Sequence, residues 1–455
     1  MKKVALINPG KNQRYAIQEP LNLGFIASYL QKHSIDVRII DELAGQNVKN
    51  EIESYSPDIV GITATTPLIP DAYRIADKCR QMGILTVMGG VHVSVLPQEA
   101  LTHADIVVQG EGERAMFDII RENIKSGVIT RPYIEDLNEV PFSARELMQM
   151  DFYLHTKDRL PDSYLYFVPL KTKAAALLTS RGCPYSCIFC HNLWKNMPYR
   201  CNCPERVISE IKHLVAGYDV RYFFFIEDNL FVNKKRLKSI CDLIKSEKID
   251  IAWGGNARVD NIDLDILNAA KDAGCKQITF GFESGSQRIL DILDKRTTVE
   301  QNRRAIELCN QAGIIPQGTF MIGNPTETME DIKETQAFIQ SNDIESVGIS
   351  ISTPFPGTKL WDMCKDNNQI PQTLEWADFT YDRIPMQVCG NISKEELRRI
   401  KADMESITFF KRNKAMSVKE ILVKCILHPI RAVNIIRRAI KDKLLLSLIT
   451  RKGQP

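Results

Sequence analysis

Over residues 1–130, short apolar runs alternate with amphipathic stretches. ‘KVALINP’, ‘DVRIID’, ‘DIVGIT’, ‘ILTVMGG’ and ‘DIVVQGEG’ are brief and rich in β-branched residues, which predicts five strands. Between them, ‘LGFIASYLQKH’ and ‘PDAYRIADKCRQMG’ carry apolar residues at helical spacing. This alternation predicts a doubly wound, Rossmann-like parallel sheet with helices on both faces. Residues 131–170 lose the rhythm and contain Pro132, Pro141, Pro161 and Pro169, which reads as a linker. The rhythm returns over residues 171–365. ‘AAALLTSRG’, ‘YFFFIED’, ‘IAWGGNARV’, ‘QITFGFES’, ‘IPQGTFMIG’ and ‘VGISISTPF’ alternate with helices such as ‘PERVISEIKHLVAG’ and ‘VEQNRRAIELCNQAG’. Six such units predict a partial (βα)6 barrel of the TIM type, with chemistry at the carboxyl ends of its strands. Residues 366–410 read as mixed and helical. In residues 411–455, Ile430, Val433, Ile440 and Leu444 lie opposite Arg431, Arg438 and Lys441, the pattern of a basic amphipathic helix. Such a helix either packs on the barrel or docks on an anionic membrane surface or an acidic partner.

Composition sharpens this division. The 455 residues have a formal net charge of +3. From Lys411 onward there are 12 Lys or Arg against 2 acids, so the tail carries 12 − 2 = +10 and the rest +3 − 10 = −7. This asymmetry concentrates any attraction to anionic surfaces in the tail and points to no nucleic-acid partner. No signal segment precedes the first strand, and no apolar run reaches the roughly 18 residues that span a membrane. The expectation is a cytoplasmic protein, with possible membrane contact confined to the tail. Twelve cysteines in such a chain are expected to stay reduced.

Ligands of a doubly wound sheet bind outside its carboxyl edge. At those strand ends stand Asn8, Thr63, Thr65, Gly89, Gly90, His92, Ser94, Gly110, Glu111 and Gly112. Each loop alone could be an ordinary tight turn. No G-x-G-x-x-G follows the first strand, which speaks against a nicotinamide or flavin dinucleotide.

After the first strand of the second region comes ‘SRGCPYSCIFCH’, with Cys183, Cys187 and Cys190. Three thiolates can hold three irons of a 4Fe–4S cluster and leave the fourth iron open, and an open coordination position marks a catalytic site. Zinc is the rival, with His191, Cys201 or Cys203 as a fourth ligand, although zinc more often takes paired Cys-x-x-Cys units. The other seven cysteines are scattered and read as small core residues.

The Cys-x-x-x-Cys-x-x-Cys spacing, its ‘TSRGCPYSCIFCH’ flank and the following barrel resemble the radical S-adenosylmethionine (SAM) enzymes. With the preceding doubly wound domain, residues 1–410 resemble their cobalamin-binding subgroup. The resemblance implies a 4Fe–4S cluster on Cys183, Cys187 and Cys190, whose open iron is chelated by SAM. It implies that Phe189 lies against the adenine, that Glu227 and Asp228 accept the SAM amine, and that Glu283 and Ser284 reach the ribose or the methionine end. Arg258 would meet the SAM carboxylate, and Gly323 and Pro325 the adenine edge. Glu227, Asp228 and Glu283 could equally be helix N-caps, and Arg258 a structural ion pair. The glycine-rich loops of the first domain become candidates for cobalamin. The Asp-x-His-x-x-Gly motif that ligates cobalt in many cobalamin proteins is absent, so no cobalt ligand is assigned.

The implied activity is methylation of an unactivated carbon of a small-molecule or lipid-like substrate. SAM would supply both the methyl group, by way of cobalamin, and a 5′-deoxyadenosyl radical. The same motifs suit a radical oxidative cyclase or rearrangement enzyme, like the anaerobic ring-forming enzymes of tetrapyrrole synthesis. A non-enzymatic alternative is a metal-stabilised binding module. A flavodoxin- or ferredoxin-type electron donor is implied as a partner.

Overall fold

The computed structural model describes residues 2–10, 17–159, 165, 167–191, 197–380 and 383–412. The basic tail beyond Arg412, including its amphipathic helix, lies outside the described residues. Among those described, no helix is long and apolar enough to cross a membrane.

Six strands build the first sheet: β1 (Lys3–Asn8), β2 (Asp36–Asp41), β3 (Ile59–Thr63), β4 (Leu85–Gly89), β5 (Ile106–Gln109) and β6 (Gly127–Thr130). All neighbours run parallel, in the order β2-β1-β3-β4-β5-β6. Successive side chains of β1 face opposite ways. Val4 and Leu6 enter one core, and Ala5 and Ile7 enter another. The sheet is therefore buried on both faces, as its near-continuous apolar strands require. The sixth strand escaped the sequence pattern because ‘GVIT’ is a short edge strand with no fully buried residue.

The second sheet comprises β7 (Ala174–Leu177), β10 (Tyr222–Phe225), β11 (Ala252–Ala257), β12 (Cys275–Glu283), β13 (Ile315–Ile322) and β14 (Ser346–Ile351). These strands are parallel and consecutive in space, from β7 to β14. The two outer strands do not pair with each other, so the sheet is an open arc of six strands. One predicted strand is divided. ‘AAALLTSRG’ ends at Leu177, and Ser180–Arg181 (β8) pairs antiparallel with Arg200–Cys201 (β9).

In the expected linker, the described residues 131–159 do not form a loose tether. Ile134, Leu137, Val140, Ala144 and Met148 join a single apolar cluster that also holds Leu6 of β1 and Phe223 of β10. Arg145, only 2% exposed, donates from Nη1 to Glu210 (2.7 Å) and from Nη2 to the carbonyl of Ala176 (2.7 Å). The amide of Ala176 in turn donates to Glu19 (3.0 Å). The connection thus ties the N-terminal region to the first strand of the arc.

A candidate active site between two carboxyl edges

The three-cysteine loop leaves the arc through the small β8–β9 ladder, in which Ser180 faces Cys201. Its backbone is pinned at the centre. The amide of Ile188 donates to Leu293 O (3.1 Å), and its carbonyl accepts from the amide of Leu360 (2.9 Å). Tyr185 donates its hydroxyl to Asn261 (2.9 Å), and the amide of Cys190 donates to Cys187 O (3.1 Å). Ile188 is buried, while Cys183, Cys187 and Cys190 stay partly accessible. The eleven described cysteines form no disulfide. Among the described residues, no three His, Cys, Asp or Glu side chains gather around one metal ion. A cubane sets each thiolate on its own iron, so its ligands need not share one point.

Charged side chains surround this loop. At the end of β10, Glu227 is 3% exposed. Its Oε1 accepts from Thr179 Oγ1 (2.6 Å), whose oxygen also accepts from Arg236 Nη2 (2.7 Å). Its Oε2 is buried with no partner. Burial pushes the carboxyls of Glu227 and Asp228 above their ordinary values. Neither residue caps a helix. The capping amides are satisfied instead by Asn229, Asn233 and Asp263.

Glu283 ends β12 in the left-handed region, at φ 62°, just after a register shift between Gly281 and Glu283. A non-glycine residue held there stores on the order of 1–3 kcal/mol. The conformation brings its carboxylate to Lys295 Nζ at 2.8 Å, with both side chains buried. Gly281 makes room for the pair, because a Cβ there would lie 2.5 Å from Glu283 Oε1 and 3.0 Å from Lys295 Nζ. Burial opposes the ammonium charge, but the Glu283 carboxylate and the nearby Cys187 hold it above its ordinary value. Lys295 also sits 5.7 Å over the ring of Phe189. Sequence reasoning missed it, since a lone lysine in ‘LDKRT’ looks like solvent-facing charge. Arg258 lies beside it, donating to Asp260 (3.1 Å from Nε) and to Lys295 O (2.7 Å from Nη2).

Ser284 turns away from this group. It is fully buried, with its hydroxyl 3.1 Å from Thr335. After β13, the amides of Gly323 and Asn324 both donate to Glu327 Oε2. Burial pushes the Glu327 carboxyl up to about 7. This buried acid shapes the loop that carries Gly323 and Pro325, and it too was passed over in the sequence.

The carboxyl edge of the first sheet is different. A cavity of about 310 Å³ opens there, lined by Leu6, Phe25, Ile26, Val108 and Met116 and rimmed by Thr63, Gly89, Gly90 and Gly110 to Gly112. It lies where the strand order reverses around β1 and β3, the usual crevice of such sheets. Gly90 has φ 100°, and a Cβ there would come within 2.8 Å of Ala64 O. Ser94 borders an adjoining groove with Gly110 and Gly357. Three candidates stand aside from the cavity. The amide of Asn8 is taken by Asp41 (3.0 Å), and Thr65 precedes a short turn. His92 is 1% exposed, its ring packed 4.9 Å from Trp376. Its Nε2 lies 3.6 Å from Glu99, within ion-pair range but too long for a hydrogen bond.

Leu178, Arg181 and Met197 of the second region also line that cavity. Arg181, two residues before Cys183, pairs with Glu111 (3.0 Å) and Glu113 (2.5 Å). Glu111 further accepts from Arg200 (2.9 Å) and from the amide of Ile134 (2.8 Å). Burial opposes its charge, but Arg200 and Arg181 hold its carboxyl below the ordinary value. Glu111, a cavity candidate in the sequence, thus spends its carboxylate joining the two regions. Farther out, Trp376 Nε1 donates to Glu99 at 3.0 Å. The two carboxyl edges meet across these contacts.

Residues 177–339 match the Radical SAM superfamily, and residues 11–120 match the B12 binding domain. An uncharacterised methyltransferase of Pyrococcus horikoshii is 32% identical over 430 residues, spanning 88% of this chain and 90% of that protein. An anaerobic magnesium-protoporphyrin IX monomethyl ester cyclase of Rubrivivax gelatinosus is 29% identical, spanning 77% of this chain and 67% of its own. The fold is similar to that of the cobalamin-dependent SAM radical enzyme OxsB. The TM-score is 0.72 at 17% identity, over 92% of this chain and 68% of that one.

Proposed function

This chain belongs to the radical SAM enzymes that carry an N-terminal B12 binding domain, and from that premise we propose that it methylates an unactivated carbon of a small molecule. The observation that carries the reading is Arg181: one side chain both lines the first-sheet cavity and stands two residues from the cysteine loop. Two cofactors held at these places would face one interface, a usual setting for a ligand site.

The residues fit the groups that the family implies. Cys183, Cys187 and Cys190 offer three thiolates on a pinned loop. Glu227 keeps a buried carboxylate oxygen without a partner, which suits the ammonium of SAM, and Asp228 adds charge beside it. Phe189 and the Gly323–Pro325 loop would border the adenine. The Glu283–Lys295 pair offers a carboxylate to ribose hydroxyls or an ammonium to a carboxylate. The apolar cavity and its glycine rim suit the flat or nucleotide parts of cobalamin. Among the described residues, no histidine or cysteine lines that cavity. When bound, the cluster, SAM and cobalamin supply radical generation and methyl transfer. The protein's part is to bind and orient them. Burial holds the carboxyls of Glu227 and Asp228 above their ordinary values, and a cationic amine placed beside them would favour their ionised form.

Anaerobic reconstitution tests the reading. Iron, sulfide and corrin are quantified, and the reduced protein is assayed for SAM cleavage to 5′-deoxyadenosine. Cluster-loaded protein that does not cleave SAM would sink it. The similarity to the Rubrivivax cyclase keeps an oxidative ring closure as the second reading. Product mass separates the two: a gain of one methylene unit indicates methylation, and a loss of hydrogens indicates oxidation. We further infer a flavodoxin- or ferredoxin-type donor to the cluster. The +10 tail supports a substrate delivered from a lipid surface. Equal sedimentation with anionic liposomes, with and without residues 411–455, would refute that part.

A further inference from the structure

We propose that Arg258 sets the reduction potential of the cluster by hydrogen bonding to the Cys187 thiolate, rather than holding a carboxylate of SAM. The inference rests on the cluster assignment made above. Every edge of the guanidinium is in use. Nε and Nη2 donate to the two oxygens of Asp260 (3.1 and 3.3 Å), and Nη2 also donates to Lys295 O (2.7 Å). The face of the group lies 3.6 Å from the ring centroid of Tyr185, inside the cysteine loop. The remaining nitrogen, Nη1, donates to Cys187 Sγ at 3.6 Å, a distance that suits the larger sulfur atom as a weak acceptor. The residue is 6% exposed.

A planar fork so constrained cannot present two parallel N–H groups to another carboxylate, the arrangement for which arginine is usually chosen. It can withdraw electron density from a thiolate. A donor on a ligating sulfur stabilises the more negative, reduced cluster and raises its potential. Tyr185 and Asp260 fix the direction of the donor, so Arg258 acts as a positioning residue for the electron and not as a group that touches substrate.

The test is an anaerobic redox titration of the full chain, followed by electron paramagnetic resonance without SAM. It compares the wild type with Arg258→Gln and Arg258→Lys. The expected result is a shift to more negative potential in Arg258→Gln, with iron and sulfide content unchanged. At fixed potential the ratio of oxidised to reduced cluster should rise about tenfold, about 59 mV for one electron. Arg258→Lys keeps the charge and should shift less. Wild-type potentials in both variants would overturn the proposal. So would an unchanged potential combined with weakened SAM binding in Arg258→Gln, which would return Arg258 to SAM. Folded variants that cannot retain iron would show a role in assembly and would equally overturn it. A wild-type chain that takes up no 4Fe–4S cluster would instead refute the functional reading beneath it.

Discussion

The two carboxyl edges hold their ligands in opposite ways. The first sheet presents backbone, glycine and apolar side chains around a cavity. The second presents thiols, buried carboxylates and cations, each at a defined position around the cysteine loop. A large cofactor that brings its own reactive centre needs a cradle of the right shape. A small charged cofactor bound to a metal cluster needs individual groups at individual atoms. One molecule can therefore carry a site recognised by space beside a site recognised by charge.

Substitutions that damage one edge alone sharpen this contrast. The largest effect is expected from replacing Cys183, Cys187 and Cys190 together with alanine. Iron content and SAM cleavage should fall to background while corrin retention persists. Corrin loss in step with the iron would break the separation of the two edges. Next in size is Arg145→Leu at the latch between the regions. It leaves Glu210 and Glu19 buried without their cation, which should cost about 3–5 kcal/mol in denaturant unfolding. A cost below about 1 kcal/mol would show that the two regions are not energetically joined there.

Glu327 gives a pH signature to the second edge. Its folded value of about 7 stands above its ordinary 4.5, so folding favours the protonated form. Its contribution is fully present below about 4.5 and is withdrawn as the pH rises through 7. The loss is on the order of 3 kcal/mol. Glu327→Gln should remove that part of the pH dependence, as read from thermal unfolding between pH 5 and 8. A wild-type profile in the variant would assign the slope to other groups. The smallest effect is expected at the first edge. Gly90→Ala forces a Cβ against Ala64 O at positive φ, costing on the order of 1–3 kcal/mol. Corrin retention should drop while iron content holds. Unchanged corrin content would show that this rim does not bear on the cradle.

The sequence was most legible where chemistry is concentrated in residue type. Three cysteines at a fixed spacing point to a cluster without any knowledge of the fold. The strands were legible because both sheets are buried on two faces and their apolar runs are nearly continuous. The cradle was only half legible. Its glycines show in the sequence, but Phe25, Ile26 and Met116 look like any core residues, and Asn8 and His92 look like ligands although the fold turns them elsewhere. Lys295 and Glu327 were hidden for a related reason. A buried charge is recognised by its partner, and Glu283 finds Lys295 only through the left-handed turn and the missing Cβ of Gly281. The 131–170 connection misled for want of periodicity. Irregular backbone can still pack when its carbonyls and amides are satisfied by side chains, as Arg200 and Glu111 do for the carbonyl and amide of Ile134.

That connection has a consequence for modularity. Its apolar residues belong to the same core as β1 and β10, and Arg145 and Ile134 bond to groups on both sides of it. The two halves are therefore not interchangeable cassettes. A chimera cut at residue 130 or at residue 170 would inherit half of a shared core and orphan a buried cation or carboxylate. Exchange of the cofactor-binding half between relatives has to carry the connection and its contact surface on the arc along with it.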